Sequence, residues 1–196
     1  MTKSILRKQM LDRRAALTAD EIAACSARIA AQVLLTEAWA EADSVPAYYA
    51  VRGEADPAPL VQAAWEAGKR VYLPRVIGKE MIFLPYMPDT ELELSRFGIP
   101  EPALPDGSSR ETEQWTADAG GRTLVLVPGA AFSPDGYRIG YGGGYYDRYF
   151  ADRDRMPDRF ALVGLAYDFQ ITDETEPEPH DVRLDLVVSE SRIYFP

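Results

Sequence analysis

The sequence predicts an α/β fold in which a mainly parallel sheet is covered by helices on both faces. Strand-like apolar runs alternate with helix-like segments along the chain, which is typical of such sheets. The runs are residues 45–51, 70–76, 81–87, 123–128, 160–167 and 184–189. The first two are separated by a stretch long enough for a β-α-β crossover. With 196 residues, we expect a single domain that spans residues 1–196.

Two amphipathic helices are predicted at the start of the chain. Residues 3–17 have the spacing of a helix. Its apolar stripe is Leu6, Met10 and Leu17. Thr18 and Glu21 form a capping-box pattern that opens a second helix. Thr36 either continues this helix or restarts it as far as Ala42.

The middle of the chain gives a clear β-α-β pattern and then a long irregular stretch. A helix is expected to begin near Pro57 and to end at Gly68. The run at 81–87 follows the previous strand so closely that we expect antiparallel pairing. Residues 88–122 are rich in proline, glycine and acidic residues, so we expect a surface excursion with one short helical piece. A last short run, 192–195, completes the strands.

Composition excludes several classes of function. A net charge of −10 is unfavourable for a nucleic-acid or anionic-membrane partner, because both prefer basic surfaces. The single cysteine excludes an internal disulfide framework and suits a reducing compartment. No apolar run approaches membrane-spanning length, and the charged start lacks a signal-peptide core. We therefore expect a cytoplasmic protein.

The stretch from Val127 to Asp147 is the main candidate for a ligand site. Its glycines are Gly136, Gly140, Gly142, Gly143 and Gly144. Closely spaced glycines let a backbone approach a ligand and turn its amides inward. A helix opening near Gly144 favours an anion such as phosphate, next to the cation Arg138. Asp147 would fall in the first helical turn, where it could hold a metal that the phosphates share.

A glycine-rich surface turn is the alternative interpretation of this stretch. The chain contains neither a P-loop nor the dinucleotide-binding fingerprint, so any nucleotide site must be of another kind. The basic face formed by Lys3, Arg7 and Arg14 also has two possible interpretations. Like charges at this spacing repel slightly, so this face either is solvated or lies beside an anion.

Acidic residues supply further candidates at strand ends, where ligands bind in parallel sheets. Glu54 and Asp56 either bind donors of a polar ligand or cap the helix near Pro57. Asp185 is either a turn residue or, together with Asp147, a magnesium ligand.

Few functional roles are possible for the aromatic residues, the single histidine and the single cysteine. Tyrosines near the expected cleft either stack on a planar heterocycle or pack in the core. They are Tyr48, Tyr49, Tyr141, Tyr145 and Tyr146. His180 and Cys25 are the only residues of their types, which argues against a zinc cluster and a Cys–His nucleophile pair.

In their order and spacing, these segments together resemble the 5-formyltetrahydrofolate cyclo-ligase (methenyltetrahydrofolate synthetase) family. The matching segments are residues 3–7 followed by Arg13 or Arg14, then 48–56, 71–76, 97–102, 127–147, 164–170 and 180–185. The resemblance implies a three-layer α/β fold of the CoA-transferase-like class. It also implies ATP- and magnesium-dependent closure of 5-formyltetrahydrofolate to 5,10-methenyltetrahydrofolate, by phosphorylation of the formyl oxygen. Its partners would be these small molecules, with the chain acting as a monomer.

The resemblance also assigns residues by position. The catalytic cations would be Arg138, Lys3 and Arg7. ATP would contact Lys3, Ser4, Ile5, Leu6, Arg7, Arg138, Ile139, Gly140, Tyr141, Gly142, Gly143, Gly144, Tyr145 and Tyr146. The folate would contact Tyr49, Glu54, Tyr141, Gly142, Gly143, Gly144 and Tyr145. Magnesium would be held by Asp147 and Asp185.

Two departures from the family pattern and two rival functions accompany this expectation. Pro57 stands where the family commonly has threonine, and Gly143 stands where many members carry lysine or arginine. One phosphate cation is therefore missing or is supplied from elsewhere in the chain. The rivals are a non-catalytic folate or nucleotide sensor, and a kinase-like or CoA-transferase-like enzyme acting on another carboxylate or sugar phosphate.

Overall fold

The structure, a computed structural model, describes residues 2–104, 114–116, 120–151 and 160–196. The helices are α1 Lys3–Ala15, α2 Ala19–Val33, α3 Glu37–Glu41, α4 Ala58–Glu66 and α5 Tyr145–Tyr149. The strands are β1 Ser44–Pro46, β2 Arg70–Ile77, β3 Glu80–Pro85, β4 Leu92–Leu94, β5 Pro100–Pro102, β6 Thr123–Val127, β7 Ala131–Phe132, β8 Arg138–Ile139, β9 Phe160–Leu165, β10 Leu186–Val188 and β11 Ile193–Tyr194. Within the described ranges, none of the helices is both long enough and apolar enough to cross a bilayer.

The central sheet has seven strands in the order β11-β10-β9-β6-β1-β2-β3. The five inner strands pair in parallel, from β10 to β2. The two edge strands are antiparallel, β11 to β10 and β3 to β2. The prediction of a mainly parallel sheet with an antiparallel β3 is confirmed.

Both faces of this sheet are covered, as predicted. The central strand β6 is buried along its whole length, and its side chains alternate between two apolar cores. Leu124 and Leu126 pack in the core under α2, α3 and α4. Val125 and Val127 pack on the opposite face, against Phe132 and the aromatic residues of α5.

A third, smaller core joins α1 to the β7–β8 hairpin. Leu6 and Met10 of α1 pack against Ala131 and Ile139 of that hairpin. The apolar stripe predicted for α1 therefore anchors this helix on the segment that leads into the glycine-rich loop. This packing determines where the basic face of α1 lies.

Two parts of the sequence prediction need correction. The strand expected at 45–51 ends at Pro46, after which Ala47 adds one more bond to β2, donating to the Tyr72 carbonyl at 2.8 Å. The chain then turns through Arg52 and Gly53, whose φ angles of 53° and 72° are positive and cannot continue a strand. In the 88–122 stretch, the described residues form the β4–β5 hairpin instead of a short helix. Residues 105–113 and 117–119 of that stretch lie outside the described residues.

Helix capping gives a first testable prediction. The Thr18 hydroxyl accepts from the Glu21 amide, and the Glu21 carboxylate accepts from the Thr18 amide, so the predicted capping box is present in α2. Thr2 occupies the same position in α1 but makes no side-chain cap. We expect Thr18→Ala to lower the free energy of unfolding by about 1 kcal/mol. Thr2→Ala, the matched control, is expected to cost a few tenths of a kcal/mol at most. Equal losses for the two variants in urea unfolding would contradict this account of α2.

Candidate active site at the glycine-rich loop

A cavity of about 830 Å³ opens between the glycine-rich loop and the segment that leads into β10. Its wall includes Gly142, Gly143 and Gly144 on one side and residues 179–185 on the other. Asp147 and Asp185, which were predicted as a pair of magnesium ligands, both line this cavity. The loop is therefore the wall of a cavity and not a simple surface turn.

The loop conformation requires its glycines. Gly142 and Gly144 have φ angles of +94° and +62°, in the left-handed region that residues with a Cβ rarely adopt. A Cβ on Gly143 would come 2.7 Å from the Tyr145 ring. The helix α5 opens directly after Gly144, as predicted.

The ion pair of buried Arg138 and partly buried Asp147 lies beside the cavity, which Asp147 lines. Arg138 is 6% exposed, and its Nη1 donates to Asp147 Oδ1 at 2.8 Å. The same oxygen accepts from the Val182 amide at 3.3 Å. Among the described residues, the buried side-chain atoms without a hydrogen-bond partner are Arg138 Nε and the hydroxyls of Tyr146 and Tyr167. Unsatisfied buried polar groups are rare in folded proteins, so the unpartnered Nε of an ion-paired arginine marks a candidate position for a polar ligand.

The basic face of α1 meets this site instead of facing solvent. Lys3 Nζ lies 2.7 Å from Asp181 Oδ2 and 2.9 Å from Glu178 Oε2. Arg7 Nε donates to the Gly140 carbonyl at 2.7 Å. The structure thus brings Lys3 and Arg7 beside the glycine-rich loop, on the same side as Asp181.

Other residues in the expected nucleotide set contribute differently. Leu6 and Ile139, each 2% exposed, are buried against each other in the core beneath α1. Their side chains cannot face a ligand, so only their backbone is available. Ser4 and Ile5 are exposed on the outer part of α1.

A buried polar network links α1, the acidic turn and the glycine-rich loop. Arg14 is 1% exposed, which contradicts the solvated position considered for it. Its guanidinium donates to the carbonyls of Val51 (3.3 Å), Arg52 (2.8 Å) and Gly129 (3.4 Å), and to the Tyr141 hydroxyl. The Tyr141 hydroxyl in turn donates to Glu54 Oε1, which lies 4.0 Å from Arg14 Nη1. Glu54 Oε2 accepts from the Val51 amide at 2.9 Å.

Burial sets the protonation of this network. Burial raises the pKa of Glu54, although the hydrogen bonds from Tyr141 and Val51 and the charge of Arg14 oppose the shift. Burial also raises the pKa of Tyr141 well above its usual range, so its hydroxyl stays a proton donor at neutral pH. The Tyr141 ring itself is 40% exposed. One residue therefore presents an open aromatic face while its hydroxyl orients Glu54.

The two carboxylates of the acidic turn have different contacts. Asp56 Oδ1 accepts from the Ala58 amide at 2.9 Å and so caps the start of α4. Glu54 makes no such cap and instead belongs to the buried network. The turn therefore contains one capping carboxylate and one candidate binding carboxylate.

The tyrosines divide between the site and the core. Tyr48 is buried, and its hydroxyl donates to the Ala55 carbonyl, so it folds the turn back on itself. Tyr49 keeps an exposed ring beyond the end of β1. The Tyr145 hydroxyl accepts from Arg96 Nη2 at 2.9 Å, and its ring lies 5.0 Å from the guanidinium carbon of Arg148.

The two candidate aspartates before β10 differ in their contacts. Asp185 Oδ2 accepts from the Leu162 amide at 2.7 Å, while its own amide donates to the Leu162 carbonyl at 2.9 Å. Asp185 thus joins the start of β10 to β9, and it also lines the cavity. Asp181, absent from our predicted set, lines the cavity and contacts Lys3 directly. Its neighbour Val182 reaches Asp147, a long-range contact that no local pattern could indicate.

The contact between Lys3 and Asp181 predicts a pH dependence of stability. Burial acts to raise the pKa of Asp181, but the hydrogen bonds from Lys3 and the Glu178 amide outweigh it, so the pKa lies below its usual value. Because the folded pKa is lower than the unfolded one, ionised Asp181 stabilises the fold above the unfolded pKa. This stabilisation is lost as the pH falls through the folded pKa.

Lys3→Gln is therefore expected to cost about 0.5–1 kcal/mol of unfolding free energy at pH 6, since the pair is partly exposed. The difference from the unsubstituted protein should shrink as the pH approaches 3. Urea unfolding across this range measures it. A difference that stays constant with pH would show that Lys3 does not act through Asp181.

Comparison with known proteins agrees with this architecture. The sequence profile of the 5-formyltetrahydrofolate cyclo-ligase family matches residues 1–190. The chain is similar to 5-formyltetrahydrofolate cyclo-ligase of Escherichia coli (strain K12), with 30% identity over 185 residues that cover 93% of this chain and 97% of the relative. It is also similar to the NMR structure of Aquifex aeolicus 5,10-methenyltetrahydrofolate synthetase, at 30% identity and a TM-score of 0.80, over 100% of this chain and 93% of that one. The chain is also similar to the structure of the Mycoplasma pneumoniae 5,10-methenyltetrahydrofolate synthetase, at 26% identity and a TM-score of 0.70. This match covers 97% of this chain and 99% of that one. The chain therefore belongs to the 5-formyltetrahydrofolate cyclo-ligase family.

Proposed function

We propose that this protein catalyses the ATP-dependent closure of 5-formyltetrahydrofolate to 5,10-methenyltetrahydrofolate, with release of ADP and phosphate. The observation that carries the proposal is the Arg138–Asp147 ion pair, with its unpartnered Arg138 Nε, next to a glycine-rich cavity wall. A buried cation with an unused donor suits a polyanion on an otherwise acidic chain. Family membership supplies the substrate class.

The phosphate side of the site is formed by α1 and the loop. Lys3, Arg7 and Arg138 supply positive charge, and Gly142, Gly143 and Gly144 line the cavity wall. In the reaction, the formyl oxygen forms a bond to the γ-phosphorus while the bond from that phosphorus to the leaving ADP oxygen breaks. Protein groups accelerate such a step mainly by alignment and by neutralising charge on the transferred group.

The folate side is formed by the acidic turn and the tyrosines. Glu54, oriented by Tyr141 and Arg14, accepts hydrogen bonds from the pterin ring. The exposed faces of Tyr49 and Tyr141 border the ring. Once the formyl oxygen carries phosphate, the neighbouring amine bonds to the formyl carbon, the carbon–oxygen bond breaks and phosphate leaves. A fixed pterin keeps that amine and carbon in reach of each other.

The carboxylates around the cavity fit magnesium, which prefers hard oxygen ligands and usually takes one or two carboxylates plus phosphate oxygens. Asp147 with Asp185 is the pair that we propose to hold it, with Asp181 as a second candidate because it lines the same wall. A bound magnesium ion would neutralise charge on the phosphate oxygens. In Asp147, the hydrogen bonds from described residues both fall on Oδ1. The Asp185 carboxylate is held in place by the shorter hydrogen bond that its Oδ2 accepts from the Leu162 amide at 2.7 Å.

Absorbance of the methenyl product tests the proposal directly. Protein mixed with 5-formyltetrahydrofolate, ATP and magnesium should form this product with one ADP per turnover, and none without ATP. Omitting magnesium should slow the reaction strongly. Asp185→Asn and Asp181→Asn, compared for their magnesium dependence, identify the second carboxylate. Folded protein that forms no product with ATP present would refute the proposal.

The rival functions give different results in the same samples. A sensor would bind folate and nucleotide in calorimetry but release no ADP. An enzyme for another carboxylate or sugar phosphate would show a larger rise in melting temperature with that compound than with the folate. That the protein acts as a cytoplasmic monomer stays a prediction.

A further inference from the structure

At the edge of the phosphate cavity, which Arg148 also lines, three cationic residues gather around the turn between β2 and β3. Arg96 Nη2 donates to the Gly78 carbonyl at 2.9 Å, and Arg148 Nη2 donates to the Lys79 carbonyl at 3.2 Å. Both guanidinium groups are thus fastened to the same two-residue turn, on which Lys79 itself is exposed. We call Lys79, Arg96 and Arg148 the turn cations.

The turn cations are not neutralised by the described part of the chain. Lys3 and Arg138 pair with carboxylates, whereas none of the turn cations forms an ion pair with a residue in 2–104, 114–116, 120–151 or 160–196. Glu80, the next residue along the turn, makes no ion pair with them either. On a chain with a net charge of −10, three cations held close together repel one another and form a local positive surface. Such a surface attracts an anionic ligand.

Aromatic rings form part of the same surface. The Arg96 guanidinium carbon lies 4.7 Å from the Phe97 ring centroid, and Arg148 lies similarly over Tyr145. The rings of Phe97 and Tyr145 meet edge to face at 6.2 Å, and Phe97 is 45% exposed. Guanidinium groups held by aromatic rings and carbonyls are already ordered, so little side-chain freedom is lost when they bind a carboxylate.

The position of this surface relates it to the folate side of the site. The parallel pairing of β1 ends at Pro46 opposite Tyr72, but β2 continues to Ile77, so the turn projects past the carboxyl edge of the sheet. Tyr141 orients Glu54, and Tyr145 contacts Arg96. Because these two tyrosines are four residues apart, their Cα atoms are separated by at most about 14 Å. A ligand bound at Glu54 can therefore extend to the turn cations.

We propose that the turn cations form a subsite for the carboxylates of the glutamyl tail of the folate substrate. This inference rests on the proposed function, because that function supplies a ligand with a flat ring system, an aromatic linker and a carboxylate-bearing tail. The phosphates of ATP are the other anions present. They have their own cations in Lys3, Arg7 and Arg138. Lys79 and Arg96 do not line the phosphate cavity, whereas Arg148, whose Nη1 donates to the Gly143 carbonyl at 2.8 Å, borders both the cavity and the turn.

The test compares folates that carry one and five glutamyl residues. The readout is the ratio of KM for the monoglutamate to KM for the pentaglutamate within each variant, which cancels changes in turnover. We expect a ratio of roughly ten or more in the unsubstituted protein, falling toward one in the Lys79→Gln/Arg96→Gln double variant and in 0.5 M salt. Arg192→Gln is the matched control, because Arg192 also lies over a tyrosine ring but belongs to the opposite edge of the sheet. Its ratio should not change.

Calorimetry without nucleotide separates failure of the subsite from failure of the function. One possible result is that no methenyl product forms, but the pentaglutamate still binds more tightly than the monoglutamate and the double variant removes this difference in affinity. That result would support the subsite and refute the proposed reaction. A ratio near one in the unsubstituted protein overturns the subsite. An unchanged ratio in the double variant, or a rise in KM for ATP with no change in the ratio, also overturns it. Failure to bind either folate overturns both proposals.

Discussion

Arg138→Ala is expected to lower kcat/KM about a hundredfold or more, the scale seen when a group that stabilises transition-state charge is removed. Arg138 is buried, so its charge acts in a surrounding of low polarity where electrostatic interactions are strong. It is held on one side by Asp147 and has an unused donor in Nε. The loss should appear in steady-state kinetics with ATP as the varied substrate.

Stability has to be separated from catalysis in this experiment, because removing Arg138 leaves Asp147 without its partner. The double variant Arg138→Met/Asp147→Asn removes both charges and is expected to regain stability without regaining activity. Arg138→Lys keeps the charge but loses the planar fork, so we expect an intermediate rate. The exposed Arg192→Ala serves as the control for net charge. A folded Arg138→Ala protein with an unchanged rate would show that the phosphate site lies elsewhere.

The parts of the fold that could be predicted depend on local chemistry. The Thr18–Glu21 capping box, the stop of α4 at Gly68 with φ of +70°, and the opening of α5 after Gly144 each follow from a few neighbouring residues. The strands were recognised because a fully buried strand such as β6 needs apolar residues on both faces. The order of the strands in the sheet is not contained in these short-range patterns.

The parts that could not be predicted depend on contacts between distant segments. β1 ends at Pro46, six residues before the turn at Arg52, although the apolar run in the sequence continues up to that turn. Arg14 was grouped with Lys3 and Arg7 by its spacing, yet four acceptors from three other segments bury it. Similarly, Asp181 comes to Lys3 across 178 positions of the chain.

Tyr141 explains why the folate and phosphate sides meet in one loop. Its backbone belongs to the glycine-rich stretch, while its hydroxyl lies in the network of Glu54 and Arg14. A shift of this loop would therefore change the orientation of Glu54 as well as that of the loop amides for which we propose phosphate binding. The buried network couples the two halves of the candidate site mechanically.

Arg14→Met is accordingly expected to have the largest effect on stability, a loss of about 3–5 kcal/mol of unfolding free energy. The substitution keeps much of the side-chain volume but leaves the Val51 and Arg52 carbonyls without their donor and Glu54 without a nearby positive charge. Unsatisfied buried acceptors and an uncompensated buried carboxylate are both costly. Urea unfolding measures the loss. Arg13→Met is the matched control, because Arg13 is exposed over the Phe169 ring and should cost at most about 1 kcal/mol.

A double-mutant cycle with Glu54→Gln distinguishes the charge pair from the packing of the arginine. If Glu54 is held by Arg14 through Tyr141, Glu54→Gln should remove the uncompensated charge, so the double variant loses less stability than the two single losses combined. The same variants should raise KM for the folate more than KM for ATP, because the pterin-binding carboxylate is disordered or absent while Lys3, Arg7 and Arg138 remain. Additive stability losses with no change in KM for the folate would mean that Arg14 only supports the turn, and that Glu54 keeps its orientation through the Val51 amide alone.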